Sequence, residues 1–222
     1  MSARDWPSEP QGWLDLVRAG LDLHEPIPRE ELLLVRDKAG RYLRPAAPPE
    51  GVVARPGAVL ILLYPDGPDL RLPLTVRSET LPNHRGEVSL PGGATDPEDA
   101  DPEATALREC WEELGIPPEG TAVLGSLPPI YIPPSNFRIT PVVGWSPAQP
   151  IIQFNTHEVS ALLTVTLREL VDPALVVVEE WSLRGTPTLV PFFAIAGQKV
   201  WGATALMLSE LVARLRRVNH AV

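Results

Sequence analysis

Cysteine is nearly absent: Cys110 is the sole thiol in 222 residues, which excludes an internal disulfide and a cysteine-based zinc site. The four histidines, at 24, 84, 157 and 220, are scattered, and no His-Glu-x-x-His pair occurs. Long apolar runs are missing too. The longest, Ala58 to Tyr64, falls far short of the about 20 residues a bilayer crossing needs, so no membrane partner is expected. The opening residues, Met1 to Pro10, lack a basic stretch followed by an apolar one. No secretory signal is therefore expected, and a reducing cytoplasm is the expected compartment. Basic charge is in deficit, with 19 Lys and Arg against 28 Asp and Glu and a net charge of −9. That balance excludes a general nucleic-acid binder, which would carry a basic face. It leaves room for a small phosphate ligand whose charge a metal ion offsets. A G-x-S-x-G elbow, a P-loop and a G-x-G-x-x-G turn are all absent.

What is present describes a globular chain. Hydrophobic residues make up 44% and charged residues 21%, enough to bury a core without covalent staples. The length suits one ordinary domain with an extra arm. With 27 Pro and 16 Gly, short elements joined by rigid turns are expected.

Residues 1–50 read as a helical arm packing on a core formed by 51–222. In the arm, Trp13, Leu14, Leu16, Val17 and Leu21 fall on one side at helical spacing, which predicts a helix over about 12–23. It either packs on the main domain or meets a partner, and its few basic residues speak against a membrane. A second helical piece is expected over 29–37, and the Pro-rich stretch 44–57 reads as a linker. The run Ala58–Tyr64, the turn Pro65-Asp66-Gly67-Pro68 and the partly alternating Leu70–Arg77 predict a hairpin. A loop is expected over 78–101. Asp101-Pro102 then opens a helix that runs to Leu114 and stops at Gly115. Strands are expected over 122–126, 137–145, 159–166, 176–183 and 189–195, and a final amphipathic helix over 202–218. Strands interleaved with two sizeable helices define an α/β (α+β) class, a mixed sheet sandwiched between helices.

The helix at 102–114 carries the chemistry. Glu109, Glu112 and Glu113 stand at i, i+3 and i+4 and share a face, beside an apolar stripe of Ala104, Leu107, Cys110, Trp111 and Leu114. Clustered carboxylates repel each other by a few tenths of a kcal/mol per i,i+4 pair. They form either a solvated acidic face or a seat for a divalent cation, and hard Mg²⁺ prefers such oxygen ligands. Pro91-Gly92-Gly93 ahead of the helix allows a tight turn and a close backbone approach to a ligand. Arg108 adjoins Glu109 and is placed to orient carboxylates.

This segment resembles the Nudix box, G-x5-E-x7-R-E-U-x-E-E-x-G-U with U aliphatic. Arg108 to Ile116, R-E-C-W-E-E-L-G-I, follows its second half, with Cys110 at the first U. In the first half Asp99 stands in place of Glu, six positions after Gly93, and eight residues separate it from Arg108. Asp99 is thus a candidate outer ligand. Leu74 to Gly93, LTVRSETLPNHRGEVSLPGG, resembles the signature of the coenzyme A pyrophosphatase-type subfamily through Arg77, Ser78, Gly86 and Pro91-Gly92-Gly93. Pro82 replaces an Arg of that signature and Leu90 a Phe. The lengthened box with Asp96 to Asp99, and the segments 133–144, 155–159 and 200–205, resemble the same subfamily, so the likeness spans about residues 55–218.

The resemblance implies a Nudix fold and a Mg²⁺-dependent pyrophosphohydrolase, with Mn²⁺ as the alternative ion, acting on a small nucleotide. The subfamily points to coenzyme A or its thioesters, cut to adenosine 3′,5′-bisphosphate and 4′-phosphopantetheine or its acyl form. Other nucleoside diphosphate derivatives (ADP-ribose, NADH, a nucleoside triphosphate) and a non-catalytic Nudix-fold sensor are the alternatives. By motif position Glu109 and Glu113 are the primary metal ligands and Glu112 a third. Arg108 holds the helix carboxylates or touches substrate, and Gly92 and Gly93 shape the turn. The general base is either Glu112 or Glu158, in the NTHEV segment. Arg77 and Arg85 bind phosphate or form surface ion pairs. His84 touches substrate or finishes a turn. Phe137 and Trp145 stack on adenine or pack in the core, Cys110 is an inert core thiol, and Trp201 anchors the last helix. A homodimer is the common arrangement for soluble enzymes.

Overall fold

The apolar run at 58–64 is the middle of the longest strand, and it is buried on both faces. The computed structural model describes residues 5–78 and 87–221. In chain order its elements are α1 (Pro10–Leu21), β1 (Arg36–Asp37), β2 (Arg55–Asp66), β3 (Asp69–Arg77), β4 (Val88–Ser89), β5 (Gly92–Ala94), α2 (Pro102–Leu114) and β6 (Ala122–Ser126). There follow β7 (Ile130–Ile132), β8 (Phe137–Trp145), β9 (Val159–Thr166), α3 (Leu167–Val171), β10 (Val176–Leu183), β11 (Thr186–Ile195), β12 (Gln198–Val200) and α4 (Gly202–Ala221).

An eight-stranded mixed sheet runs β4-β3-β2-β8-β6, with β5 added to β2, β7 to β8 and β9 to β3. Strands β2 and β8 pair in parallel, from Arg55 opposite Phe137 to Leu63 opposite Trp145. Side chains alternate along β2. Ala58, Leu60 and Leu62 pack with Val142 and with Ala106, Cys110 and Leu114 of α2. Val59, Ile61 and Leu63 belong to the opposite core, with Val143, Leu208, Leu211 and Leu215 of α4 and Trp13 and Val17 of α1. Burying each large aliphatic contributes about 1.5–3 kcal/mol, and a one-residue slip would exchange the two sets, so register is strongly specified. A smaller sheet runs β1-β11-β10 with β12 on β11, and α4 packs against β11.

The β2–β3 hairpin, α2 and the strands at 122–126, 137–145, 159–166 and 176–183 coincide with expectation. Other elements differ. The stretch 29–37 holds a single 3-10 turn, Arg29–Glu31, and the two residues of β1; the chain is already extended at Leu32, and Arg36 and Asp37 pair with Leu189 and Thr188 of β11, which leaves no length for a helix. Helix α1 begins two residues earlier than expected because Pro10 suits the first helical position. The expected loop 78–101 contains β4 and β5, whose Gly and Ser content hides them. Strand β11 begins at Thr186, before the expected 189. Trp111, placed by its spacing on the apolar stripe, is exposed, and the true stripe of α2 is Ala106, Cys110 and Leu114. Phe137 and Trp145 pack partly buried against the main core. Trp201 lies edge-on to Trp181, with ring centroids 5.2 Å apart.

Helix α1 is fastened to the sheet by Trp13, which is fully buried. Its ring stacks on Trp6 at 5.5 Å, and its Nε1 donates to Asp69 Oδ1 at 3.0 Å. Arg168 donates to the same carboxylate and lies over the Trp13 ring. Trp13→Ala is therefore expected to cost about 3–5 kcal/mol in urea unfolding. A loss below about 1 kcal/mol would mean that α1 is not fastened at this point.

Candidate active site

The acidic helix starts and stops as its ends dictate. Asp101 accepts from the backbone N–H of Ala104 at 2.8 Å, and Pro102 needs no donor at the first position. Gly115 takes the left-handed conformation, φ 67°, and its N–H closes on Trp111 O at 2.8 Å. Ahead of the helix, β5 pairs with β2 across Gly57–Val59, and Gly92 and Gly93 lie against Glu113 and Glu109 in the second half of α2.

Arg108 joins loop to helix. It grips Asp99 with two bonds, Nε to Oδ1 at 3.0 Å and Nη2 to Oδ2 at 2.9 Å. It also donates to Ala94 O at 2.9 Å, Glu109 Oε1 at 3.0 Å and Glu112 Oε2 at 3.2 Å. This hydrogen bonding holds the Asp99 carboxyl far below the usual range and the guanidinium far above its own. Both oxygens of Asp99 are thus committed to Arg108, so Asp99 positions the box. Asp96 N–H donates to Asp99 Oδ2 as well.

The three glutamates separate into two kinds. Glu112 lies on the outer side of the helix, its side chain half exposed against Arg108. Glu109 and Glu113 turn inward, and the Glu113 residue is only 4% exposed. A solvated acidic face is thus ruled out for these two. Burial raises the carboxyl of Glu109, with Arg108 opposing and Glu112 and Glu158 adding repulsion. Burial also pushes Glu113 up to about 8, against the pull of the Arg77 charge, with Glu109 and Glu158 raising it further. Glu113 accepts from the Gly92 backbone, yet its Oε2 is buried with no hydrogen-bond partner.

Glu158 reaches this cluster through the end of α2. Gln153 N–H donates to Leu114 O at 2.9 Å and Asn155 N–H to Glu113 O at 2.8 Å, satisfying carbonyls the helix leaves open. Asn155 Nδ2 then holds Glu158 Oε1 at 3.0 Å. Asn155 is a positioning residue that the sequence pattern did not single out, although a polar side chain three residues ahead of a candidate acid is the available signal. Arg77 ends β3 with a buried Nε that has no hydrogen-bond partner. The site thus gathers Glu109, Glu113, Glu158, Arg77, Gly92 and Gly93, with Arg108 behind and Glu112 outside. His84 and Arg85 lie outside the described residues. Cys110 is buried against β2, its thiol pushed up to about 12 by desolvation, which makes it inert.

Among the described residues no three acidic, histidine or cysteine side chains already form a closed ligand set. The donors nevertheless fit a hard divalent cation: carboxylate oxygens, one of them an orphan on Glu113, beside a glycine whose missing side chain leaves space for Glu109. Burying repelling carboxylates without a counter-charge is costly, and a cation at this place removes the cost.

A helix carrying buried acids under a glycine loop, packed on a mixed sheet, is an arrangement suited to holding a cation against a phosphate group. Residues 54–183 match the model of the NUDIX domain. The chain belongs to the Nudix family and is a hydrolase acting on pyrophosphate bonds. It is 36% identical over 175 residues to a protein named "Uncharacterized Nudix hydrolase NudL" from Cronobacter sakazakii, covering 79% of this chain and 90% of the relative. A protein of the same name from Photorhabdus laumondii is 36% identical over 149 residues, 67% of this chain and 79% of its own. Among solved structures, the Nudix hydrolase RenU of M. smegmatis has a TM-score of 0.46 at 22% identity, over 63% of this chain and 82% of that one. Among the described residues no helix is long and apolar enough to cross a membrane.

Two tests follow from the geometry. Glu113 binds its proton more tightly in the folded chain than in the unfolded one. Its destabilising contribution is therefore absent below the ordinary value of 4.5 and complete above about 8. Metal-free Glu113→Gln should match wild type in melting temperature near pH 4 and exceed it at pH 9; equal melting at pH 9 would refute the buried, unpaired carboxyl. A methyl group at Gly93 would meet first the carboxylate end of the Glu109 side chain, whereas one at Gly92 would strike the backbone of Ala58 and Val59. Gly93→Ala should keep the fold and lose about tenfold or more in kcat, while Gly92→Ala should lower stability itself. Gly93→Ala with unchanged kcat would detach Glu109 from the reaction.

Proposed function

We propose that this Nudix hydrolase is a Mg²⁺-dependent coenzyme A pyrophosphatase, with residues 1–50 as an arm and 51–222 as the catalytic unit. It cleaves the diphosphate of coenzyme A or its thioesters to adenosine 3′,5′-bisphosphate and 4′-phosphopantetheine or its acyl form. The observation that carries the hydrolytic site is the buried, partnerless Oε2 of Glu113 beside Glu109. The substrate rests on the Arg77-Ser78 and Pro91-Gly92-Gly93 portions of the subfamily signature, which converge on the same acids through Arg77.

Glu109 and Glu113 would hold the cation, with Glu112 as a third, outer carboxylate. When bound, Mg²⁺ or Mn²⁺ neutralises phosphoryl charge and makes a water molecule more acidic. Arg77 would bind a phosphate oxygen through its free Nε, for which a guanidinium fork is suited. Glu158 is the proton acceptor. Asn155 fixes one of its oxygens and leaves the other to take the proton, whereas Glu112 is already paired with Arg108. Arg108 keeps the glycine loop and the helix in register and, as a permanently charged guanidinium, transfers no proton.

Glu158→Gln is expected to lower kcat by about 10²–10⁴-fold with KM little changed, and Glu112→Gln by less than tenfold. A reversed ranking would assign the base to Glu112. The substrate is tested by incubating the protein and Mg²⁺ or Mn²⁺ with coenzyme A, its 3′-dephospho form, ADP-ribose and NADH, and weighing the products. Cleavage of coenzyme A at the diphosphate, faster than its 3′-dephospho form, is expected. Cleavage of ADP-ribose or NADH alone would replace the substrate, and no cleavage of any would favour a sensor.

A further inference from the structure

On the face of the sheet opposite α2, the arm and the core leave a cavity of about 200 Å³. Its apolar walls include Leu32 and Leu34 of the arm, Pro128 and Ile130 at the start of β7, and Leu206 of α4. Two arginines, Arg29 and Arg44, open onto this space. Arg29 is fixed in place: its guanidinium lies 4.8 Å over the Tyr42 ring, and Nη2 donates to Arg44 O at 2.9 Å. Its Nε is buried with no partner. The Arg44 guanidinium has neither hydrogen bond nor ion pair among the described residues, and withdrawal from water holds it below its ordinary pKa with no neighbouring charge to oppose the shift. Glu210 is the one acid on the wall, and its Oε1 accepts from Arg214 Nε at 2.9 Å.

A cation drawn into an apolar recess without a counter-charge is costly, and folded proteins pair such groups. Two guanidiniums sharing a recess match the oxygens of a carboxylate or phosphate. The volume lies below the about 300 Å³ where drug-sized sites begin, so the body attached to the anion is short. We propose that this cavity is a second binding site, taking a small oxyanion with a short apolar tail, its charged head between Arg29 and Arg44 and its tail against Leu34, Ile130 and Leu206. None of its residues belongs to the catalytic acids or their glycine loop, so its ligand is separate from the reacting diphosphate.

The full chain, free of metal and at low salt, is titrated with sodium hexanoate, hexyl phosphate and inorganic phosphate, followed by calorimetry and by amide chemical shifts. One of the two hexyl probes is expected to bind saturably and at least about tenfold more tightly than inorganic phosphate, with shifts centred on Leu34, Ile130 and Tyr131. The tighter of the two identifies the head as carboxylate or phosphate ester. Arg44→Met should weaken that probe about tenfold or more, and its ligand-free melting temperature should equal or exceed wild type, because an unpaired desolvated charge has been removed. Arg44→Lys should retain part of the affinity. The proposal is overturned if neither hexyl probe saturates at millimolar concentration, if inorganic phosphate binds as well as both, or if the shifts gather at Gly93 and Glu158. Unchanged affinity in Arg44→Met overturns it as well. Should Arg44→Met fail to fold, the wild-type shift map decides.

Discussion

The four-way grip of Arg108 is the constraint on which the site depends. One guanidinium binds the loop before α2, through Asp99 and Ala94 O, and the helix itself, through Glu109 and Glu112. It adds a direct link between a glycine-rich strand of three residues and an acidic helix that otherwise meet through β2. The bidentate Asp99 pair, with a nearly buried carboxylate, gives that grip a geometry which a lone surface ion pair lacks. Together with the pairing of β5 on β2, the grip keeps Gly93 against the Glu109 carboxylate.

The opposition between inward and outward acids follows from the rotation of α2. Ala106, Cys110 and Leu114 lie against β2, so Glu109 and Glu113 flank the buried stripe and Glu112 faces solvent. The fold thereby stores an electrostatic cost in the folded state, as functional sites commonly do. Residues that look alike in the sequence become unlike in burial, because adjacent helix positions such as Glu112 and Glu113 point about 100° apart.

Much of this was legible in the chain, for identifiable reasons. Helix α2 could be delimited because Asp101-Pro102 and Gly115 are cap residues with fixed preferences. Strands such as β8 and β9 could be found because their apolar residues occur in short runs bounded by turns. The orientation of Trp111 was not legible: apolar spacing suggests one face, but α2 lays Ala106, Cys110 and Leu114 on the sheet and leaves Trp111 exposed. The short β4 and β5 have no propensity of their own and exist because β3 and β2 offer them open edges. The convergence of Glu158 on α2 was visible only as a motif, because the bonds that bring it there run from backbone N–H groups of Gln153 and Asn155, which carry no side-chain signature.

Those two backbone bonds bear on how such a chain tolerates changes of length. The stretch between Trp145 and Ile152 connects β8 to this stitch, and much of it is exposed, so residues can be gained or lost there with little effect on the helix end. Between Gln153 and Glu158 the spacing is locked, because a single inserted residue would shift the carboxylate by one step of backbone while its anchor on Glu113 O stayed behind. Length variation and fixed spacing should therefore meet at one point in the chain, just before Gln153, and mark where a permissive connector becomes part of the candidate site.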